Sequence, residues 1–355
     1  MKLSEIDSNF KAHCVGGCEF TLISPEDYLE GFPWENENEK PFCRLPERIA
    51  SQISEPLKIL SQHSAGGVIR FKTDSSALLL KGTFRPFDIS HHMPLTGVAG
   101  FDVCIRENEC DRLIMNMRPE ISDLIQQKWD FELSCALEEG MNEYRIYLPL
   151  YAGLKELQIG FTSGAVVEKA TPHKVKNPIL YYGSSITQGG CASRTSTCYT
   201  AMVSSWLDVQ QINLGFSGNA KGEKIVAEEI AALDLSCVVI DYDHNAPTIE
   251  HLRETHEPFF KIIREKNPIL PIVLISRPFA RIPILEECEI RRDIIMQTYL
   301  NAREKGDENV YFIDGMRFFE GTGYDLPTVD RCHPTDLGFY LMAKNIYPVI
   351  KLALN

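Results

Sequence analysis

The sequence Ile-Leu-Tyr-Tyr-Gly-Ser-Ser-Ile-Thr-Gln-Gly-Gly, residues 179–190, is an apolar run that stops at a glycine followed by two serines. The four apolar residues after Pro178 predict a buried strand of a parallel sheet, and Gly183, Ser184 and Ser185 permit a sharp turn out of it. In open α/β sheets, the residue just past the carboxyl end of such a strand lies where active sites form. Because Gly-Ser-Ser is also ordinary loop composition, a plain turn is the simpler interpretation of this stretch alone.

A second indication comes from the other end of the chain, in Asp330-Arg331-Cys332-His333-Pro334. A serine hydroxyl is a poor nucleophile until a base takes its proton, and the base works best when a carboxylate fixes its tautomer and stabilises the imidazolium. The Asp-x-x-His turn can supply both partners. The order serine, aspartate, histidine along the chain is one of several that this chemistry uses.

Composition limits the classes of partner. With 355 residues, 44% of them hydrophobic and 24% charged, the chain is long enough for two globular domains. A net charge of -13 argues against binding nucleic acid or an anionic membrane. The amino terminus lacks the apolar core of a signal peptide, and the 11 cysteines are odd in number and scattered. We therefore expect a cytoplasmic protein with reduced thiols and a small, uncharged substrate.

Residues 1–172 are predicted to form a β-sandwich, because short alternating runs are separated by turn signals without amphipathic helices between them. The loop around His91 and His92 has two interpretations: it lines a substrate groove, or, more simply, it is a solvated connection. Asp102, inside a predicted strand, is expected to satisfy backbone donors of the sandwich. The strands are predicted at Gly67–Thr73, Ala77–Phe84, Gly100–Arg106, Glu143–Pro149 and Leu157–Thr162.

Two groups of possible metal ligands do not predict a site. Cys14 and Cys18, with His13 beside them, lack a second ligand pair at zinc-finger spacing. His251 and His256 are five positions apart on a predicted helix, so they point to different sides and are expected at the surface. No motif requires a metal or an organic cofactor, and we expect none.

Residues 177–355 alternate strands and helices after a predicted linker at 170–177, which indicates a parallel sheet covered on both faces. Loops at 183–191, 215–220, 242–247, 277–283 and 314–334 should meet at the carboxyl ends of the strands. Strands are predicted at 179–182, 210–214, 236–241, 271–276 and 309–313, and helices at 197–207, 222–233, 248–266, 286–305 and 336–353.

Two of these loops carry groups that an acyl-transfer serine needs. The negative oxygen of a tetrahedral intermediate requires preorganised donors. Gly215 could offer a backbone amide and Asn245 a side-chain amide, although each alone is an ordinary turn residue. Arg194 and Arg277 lie on other loops at the strand ends and either contact substrate oxygens or remain surface charges.

In this order, Ser185 in Gly-Ser-Ser-Ile-Thr-Gln-Gly, Gly215, Asn245, and Asp330 with His333 resemble the motifs of the SGNH (GDSL-type) hydrolase family over the whole second half. The first half resembles the β-sandwich that one bacterial branch of that family carries. The matching stretches there are 92–97 (His-Met-Pro-Leu-Thr-Gly), 100–102 (Gly-Phe-Asp), 147–151 (Tyr-Leu-Pro-Leu-Tyr) and 154–157 (Leu-Lys-Glu-Leu).

The resemblance implies a flavodoxin-like three-layer α/β/α domain with a five-stranded parallel sheet, preceded by a jelly-roll-like sandwich. Ser185 would be the nucleophile, His333 the base and then the acid, and Asp330 its orienter. The oxyanion hole would consist of the Ser185 amide, the Gly215 amide and the Asn245 side chain. The sequence departs from the family where Ser184 replaces the usual aspartate, around Asn245, and at Val103-Cys104 in the sandwich motif.

The predicted function is a serine esterase that removes a short acyl group, most simply acetyl, from a carbohydrate or another small alcohol. The expectation of a carbohydrate substrate rests on the resemblance of the sandwich to that of carbohydrate esterases. Acyl transfer through the same covalent intermediate, a lysophospholipase-like or thioesterase-like activity, and a binding module with a vestigial site are the alternatives. The oligomeric state is not predicted.

Overall fold

The computed structural model describes Ile6 and residues 16–88, 90–278, 285–323 and 325–355. The described residues do not include His13 and Cys14. Of the predicted loop at 277–283, they include only 277 and 278. Antiparallel strands dominate the first half, and strands alternate with helices in the second. Among the described residues, no helix has both the length and the apolarity needed to cross a membrane.

Two antiparallel sheets make up the first half. Their strands are β1 (Phe20–Ile23), β2 (Leu29–Glu30), β3 (Val68–Thr73), β4 (Ala77–Phe84), β5 (Phe101–Glu107), β6 (Cys110–Met117), β7 (Asp130–Ala136), β8 (Asn142–Tyr147), β9 (Leu154–Thr162) and β10 (Val167–Lys169). One sheet has the order β1-β9-β4-β7 and the other β10-β3-β8-β5-β6, with β2 also paired to β3. The five predicted strands are all present, whereas β1, β2, β6, β7 and β10 were not predicted.

Aromatic side chains hold the two sheets together. Phe71 of β3 lies 5.0 Å from Phe161 of β9, and Phe84 of β4 lies 6.0 Å from Phe101 of β5, both between ring centroids. All four rings are buried, and each contributes roughly 2–3 kcal/mol by leaving water. Because each pair joins one sheet to the other, the predicted sandwich is confirmed.

The second half is built on five parallel strands: β11 (Val175–Gly183), β12 (Val209–Gly215), β13 (Cys237–Asp241), β14 (Ile272–Ile275) and β15 (Val310–Ile313). Their order, β12-β11-β13-β14-β15, is the flavodoxin-like order 2-1-3-4-5. It reverses between β11 and β13, where ligands bind at the carboxyl ends of the strands. All five strands were predicted, although β11 begins at Val175, inside the predicted linker.

Helices cover both faces of this sheet, as predicted. Along β13, Val238 and Ile240 join one apolar cluster, while Cys237 and Val239 join the other. His256 was expected at the surface but is buried in a helix of the first cluster. The helices are α1 (Glu47–Ile53), α2 (Glu55–Ser61), α3 (Leu95–Val98) and α4 (Ile121–Ile125) in the first half. They are α5 (Ser185–Gln188), α6 (Tyr199–Leu207), α7 (Lys224–Ala231), α8 (Ile249–Lys266), α9 (Leu285–Glu304) and α10 (Asp336–Ala353) in the second.

The two halves share their apolar cores. Trp34, Leu45 and Leu57 of the first half pack in the cluster that contains α7, α8 and α9. Val68 and Leu150 pack in the cluster that contains α6 and α10. The first half is thus packed against both faces of the α/β half, so its loops are fixed beside the strand ends.

Arg44 is a fully buried charge at this interface. Its Nη1 donates to the carbonyl oxygens of Asn213 at 2.9 Å and Gly215 at 2.7 Å. Nε and Nη2 donate to those of His63 at 2.9 Å and Leu60 at 2.7 Å. Burial lowers the pKa of Arg44 to about 9, so the guanidinium remains charged at neutral pH. Arg44 therefore clamps the end of β12 to the first half.

Arg44→Ala is expected to lower the free energy of unfolding by about 3–5 kcal/mol, because it leaves buried carbonyl oxygens without donors. The matched control is Arg48→Ala, which removes a half-exposed guanidinium that pairs with Glu37 and Glu229. That control should lose at most about 1 kcal/mol. Chemical denaturation of both variants measures the difference, and equal stabilities would contradict the clamp.

Candidate active site

The turn after β11 holds Ser185 at the carboxyl end of the sheet. Ser184 caps α5, because its Oγ accepts a backbone N–H of that helix at 3.2 Å. Gly189 ends the helix with a φ of 106°, a left-handed conformation that glycine adopts without steric penalty. A Cβ at Gly183 would lie 2.5 Å from a backbone oxygen of β13. Glycine at that position therefore lets the turn pass close to the neighbouring strand.

Ser185, His333 and Asp330 form one hydrogen-bonded chain. Ser185 Oγ lies 2.9 Å from His333 Nε2, and His333 Nδ1 lies 2.7 Å from Asp330 Oδ2. Asp330 Oδ1 also accepts the backbone N–H of His333 at 2.7 Å. The structure thus brings together three residues from two distant parts of the sequence, in the arrangement that a nucleophile, its base and an orienting carboxylate require.

The Asp330 carboxylate is charged at neutral pH. Partial burial acts to raise its pKa, but hydrogen bonds from the side chain and backbone of His333 outweigh that effect and lower the pKa below its usual value. A charged acceptor at Nδ1 keeps the proton of a neutral His333 on that nitrogen and leaves Nε2 to accept from Ser185. It also stabilises the imidazolium that forms after proton transfer.

Two backbone amides near the serine have no hydrogen-bond acceptor among the described residues, those of Ser185 and Gly218. The N–H of Ser217 donates to Gln188 Oε1 at 3.1 Å, which holds the Gly218 segment against α5. Gly218 has a φ of 68°, and a Cβ added there would meet no atom within 4 Å. Both amides therefore have a hydrogen that no acceptor among the described residues occupies.

The structure corrects the role of Gly215. Its N–H donates to Asn213 Oδ1 at 2.9 Å, so the amide that the sequence assigned to the oxyanion hole is occupied. A Cβ at Gly215 would lie 2.1 Å from the backbone nitrogen of Gln188. Glycine is needed here because β12 ends in direct contact with α5. The prediction of a free amide at Gly215 is therefore wrong, and in this loop the amide of Gly218, three residues later, is without an acceptor among the described residues.

Asn245 lies in a 3₁₀ turn, Asp243–Asn245, that follows β13. Its Nδ2 donates to the carbonyl oxygen of Phe216 at 2.8 Å, in the same loop as Gly218. Since the amide group carries two hydrogens, this bond orients it and leaves one hydrogen for another acceptor. The side-chain donor predicted from the sequence is thus next to the segment that carries the Gly218 amide.

The two arginines predicted as possible substrate contacts have protein partners. Arg277 is buried, and its backbone N–H and its Nε each donate to the Asp243 carboxylate at 2.9 Å, which fixes the turn that carries Asn245. Arg194 Nη1 lies 3.3 Å from Asp102 Oδ2. Asp102 also accepts the N–H of Ser196 at 2.9 Å, so this aspartate joins the sandwich to the loop after the candidate nucleophile. A contact of either arginine with substrate stays a prediction.

The first half contributes directly to the candidate site. Tyr151 donates its hydroxyl to the carbonyl oxygen of Ser185 at 3.3 Å. Gln188 Nε2 donates to the carbonyl oxygen of Leu150 at 3.0 Å and lies 3.1 Å from His63 Nδ1. Burial lowers the pKa of His63 to about 3, so the ring is neutral and Nδ1 accepts this bond. The sequence contained no signal for these contacts, since they depend on how the two halves pack.

The loop around His91 and His92 also reaches the site. The ring of His92 lies 6.0 Å from the ring of His333, between centroids, and is only partly exposed. Of the two interpretations made from the sequence, the structure favours the one in which this loop lines a groove. Its simpler interpretation as a solvated connection does not fit the position of His92.

Asp241, at the end of β13, is a buried carboxyl group beside the site. Its Oδ2 accepts the hydroxyls of Thr187 and Tyr199, both at 3.1 Å. Burial raises the pKa of Asp241 to about 7, against an ordinary value of 3.8. A raised pKa in the folded state means that folding favours the protonated form, so stability is fully present below pH 3.8 and is lost as the pH rises through about 7.

We expect the wild-type melting temperature to fall between pH 5.5 and pH 8.5, and Asp241→Asn to remove most of that fall. The loss of stability extends from pH 3.8 to about 7, so about 1.5 pH units of it lie above pH 5.5. Since each pKa unit is worth about 1.4 kcal/mol, the fall in this range corresponds to about 2 kcal/mol. Thermal denaturation of both proteins across this range measures the effect as a difference. A variant whose stability falls with pH as steeply as the wild type would contradict it.

These features define a serine hydrolase built on a flavodoxin-like sheet. Residues 176–351 match the model of the GDSL-like lipase/acylhydrolase family, and residues 21–167 match the N-terminal domain of SGNH-hydrolase-type esterases. The chain therefore belongs to the GDSL-like (SGNH) acylhydrolase family, in a form with this N-terminal domain. No curated protein gives a significant sequence match.

Three solved structures are similar over both halves. A GDSL-like lipase from Bacteroides ovatus is 29% identical, with a TM-score of 0.83, and the match covers 95% of this chain and 98% of that one. The salicylyl-acyltransferase SsfX3 of a tetracycline biosynthetic pathway is 20% identical, with a TM-score of 0.77 and coverage of 95% and 99%. A family two carbohydrate esterase from Clostridium thermocellum, solved with cellohexaose, is 13% identical, with a TM-score of 0.62 and coverage of 94% and 99%. At 20% and 13% identity, the similarity to the last two structures shows a shared fold and nothing more.

Proposed function

We propose that the protein is a serine esterase that hydrolyses short-chain acyl esters, acetyl esters above all, of a carbohydrate. The observation that carries this proposal is the hydrogen-bonded chain of Ser185, His333 and Asp330 beside two unoccupied backbone amides. Ester hydrolysis through an acyl-enzyme is the reaction that such a set of groups serves.

In the first half-reaction, Ser185 Oγ attacks the carbonyl carbon of the ester while its proton passes to His333 Nε2. The carbonyl oxygen becomes negatively charged and accepts hydrogen bonds from the amides of Ser185 and Gly218 and from the side chain of Asn245. Imidazolium His333 then gives its proton to the leaving alcohol, and the acyl group stays on Ser185.

In the second half-reaction, a water molecule takes the place of the alcohol. His333 removes a proton from the water as it attacks the acyl carbon, and the same three donors stabilise the second tetrahedral intermediate. When this intermediate collapses, His333 returns the proton to Ser185 Oγ and the carboxylic acid leaves. Asp330 stays ionised throughout and holds the imidazole in place.

The small acyl group is supported by crowding next to Ser185. A Cβ at Gly190 would lie 2.8 Å from the Tyr151 hydroxyl, 3.1 Å from the Ser185 carbonyl oxygen and 3.4 Å from His333 Cδ2. Little space therefore remains at Gly190 between the Tyr151 hydroxyl, the Ser185 backbone and the His333 ring. An acetyl group fits such a space more easily than a long alkyl chain does.

The carbohydrate is supported by an open cleft of about 740 Å³ on the sandwich side of the serine. Tyr151 belongs both to this cleft and to the contact with Ser185. Phe87 and Trp129 line it with their rings 5.4 Å apart, and His63, Asp88 and Gln127 add polar groups. Such a lining suits a sugar ring. The C–H groups on the face of the ring can pack on the aromatic side chains, and the hydroxyl groups at its edge can bind the polar groups.

The first test compares hydrolysis of 4-nitrophenyl acetate, butyrate and octanoate, followed by acetate release from acetylated oligosaccharides. We expect activity on acetate to exceed that on octanoate, and Trp129→Ala to raise KM for the oligosaccharide without changing the rate on 4-nitrophenyl acetate. Tyr340→Ala, an exposed aromatic residue of α10, is the control and should change neither. Octanoate as the best substrate would contradict the acetyl assignment, and an unchanged KM in Trp129→Ala would contradict the cleft.

Acyl transfer is the main alternative to hydrolysis, because an acceptor hydroxyl can replace water in the second half-reaction. Incubation of an acyl donor with candidate sugar acceptors distinguishes the two, since transfer forms a new ester and hydrolysis releases the free acid. We expect free acid to be the main product. A cytoplasmic location also stays a proposal, which cell fractionation tests.

A further inference from the structure

A cysteine and two histidines lie close together beside the candidate nucleophile. Of these three residues, only His333 takes part in the mechanism proposed above. One ligand atom each of His92, Cys191 and His333 lie within 4.8 Å of one another. Cys191 is a buried free thiol, and its residue has a left-handed φ of 71°. Ligands of a bound transition metal are separated by about 3–4 Å at Zn–N and Zn–S distances of about 2.0 and 2.3 Å. Small side-chain movements therefore suffice to close this cluster around an ion.

Both histidines are already oriented as metal ligands usually are. His92 Nδ1 lies 2.8 Å from Ser90 Oγ, and His333 Nδ1 lies 2.7 Å from the Asp330 carboxylate. A hydrogen bond at one ring nitrogen fixes the ring and leaves the other nitrogen as the ligand, the arrangement found around most zinc-bound histidines. In both rings the nitrogen left over is Nε2.

We propose that His92, Cys191 and His333 form a binding site for a soft divalent transition metal, Zn²⁺ above all, and that the bound ion switches the esterase off. Thiolate and imidazole ligands select zinc and related ions over Mg²⁺ and Ca²⁺, which prefer oxygen. The fourth position of the ion faces the Ser185 hydroxyl or water, since His333 Nε2 is the atom that Ser185 contacts.

Binding disables the base by occupying its lone pair. The thiol of Cys191 releases one proton to solvent and coordinates as thiolate, while His92 and His333 each donate a nitrogen lone pair. His333 Nε2 can then no longer accept the proton of Ser185. Inhibition rests on the proposed function, because it requires His333 to be the base, whereas metal binding does not.

The first arm of the test therefore measures binding without turnover. Co²⁺ is added to Ser185→Ala protein and the absorbance of a thiolate-to-cobalt charge-transfer band is followed, with Zn²⁺ as the competitor that displaces it. We expect one ion per chain and a band that disappears in the double variant with Cys191→Ser. Cys332→Ser is the control, because this thiol is next to His333 in the sequence but does not belong to the cluster. This variant should leave the band unchanged.

The second arm measures inhibition of the active protein by Zn²⁺, with Mg²⁺ in parallel and a chelator added afterwards. We expect Zn²⁺ to inhibit reversibly and Mg²⁺ to have no effect. Cys191→Ser and His92→Gln should each raise the Zn²⁺ concentration for half inhibition by about 10–100-fold, relative to the metal-free rate of the same variant. Cys332→Ser should not change it.

Absence of the thiolate band, or a band that persists in Cys191→Ser, would overturn the site. Equal Zn²⁺ inhibition of wild type and Cys191→Ser would likewise overturn it. Binding of Co²⁺ with the band, together with undiminished activity in Zn²⁺, would support the metal site but overturn the proposed inhibition, and it would contradict His333 as the base. Failure of metal binding is thereby separated from failure of the proposed function.

Discussion

Replacement of Ser185 by alanine is expected to lower kcat for 4-nitrophenyl acetate by about six orders of magnitude, the effect of removing a nucleophile whose partners then have no role. The physical reason is that Ser185 Oγ is the atom to which the acyl group is transferred. This oxygen lies 2.9 Å from Nε2 of His333, the base. Rates of the purified variant, measured beside a protein-free blank, give the result. His333→Ala should fall by a similar factor, because the two residues act as one unit.

Ser184→Ala is the matched control for this substitution. Its hydroxyl accepts a backbone N–H at the start of α5, so its loss removes a helix cap worth about 1 kcal/mol and leaves the nucleophile in place. We expect the variant to melt at a lower temperature and to keep its turnover within a few-fold of wild type. Wild-type activity in Ser185→Ala would exclude Ser185 as the nucleophile.

Asn245→Ala is expected to lower kcat by about 100- to 1000-fold with little change in KM, because an oxyanion-hole donor acts mainly in the transition state. The bond from Nδ2 to the Phe216 carbonyl at 2.8 Å orients the amide, and its other hydrogen is available to the developing oxyanion. Steady-state kinetics on a single short-chain ester, with the melting temperature of each protein, separates catalysis from folding.

Asn245→Asp tests whether Asn245 donates a hydrogen bond to the oxyanion or only supports the loop that contains Phe216. The two side chains have the same shape, but an ionised carboxylate repels an oxyanion and has no hydrogen to donate. We expect this variant to be at least as impaired in kcat as Asn245→Ala. An aspartate variant that is nearly as active as wild type would remove Asn245 from the oxyanion hole and assign it only to the support of the Phe216 loop.

Local sequence patterns were sufficient to predict the α/β half. Buried apolar runs such as 236–241 and amphipathic helices such as 336–353 fix their own secondary structure, and their alternation restricts the topology to a parallel sheet. In the sandwich, β6 and β7 were missed. The burial of β6 is irregular, with exposed and half-buried residues up to Ile114 and Met115, so it lacks the clear alternation that identifies a strand.

The candidate site was partly predictable for a related reason. Ser185, Asp330 and His333 are recognisable because the chemistry requires these residue types after particular strands. Gly215 and Gly218 are three residues apart at the end of β12, and residue type does not show which amide is free. Only the hydrogen bond from Gly215 to Asn213 Oδ1 shows that the Gly215 amide is occupied.

Contacts between the two halves were not predictable. Arg44 is a single arginine in a segment without periodicity, and its role follows from four carbonyl oxygens that come from different parts of the chain. Tyr151 belongs to a sandwich motif, yet its contact with Ser185 exists only after both apolar cores have formed. Neither residue type nor spacing carries that information.

Labelling with a fluorophosphonate shows whether Ser185 is a nucleophile that His333 activates. The reagent forms a stable bond with an activated serine and needs no knowledge of the natural substrate. We expect intact-protein mass spectrometry to show one adduct per chain, peptide mapping to locate it on Ser185, and His333→Ala to abolish it. No adduct, or an adduct on another residue with Ser185 unmodified, would exclude Ser185 as the activated nucleophile.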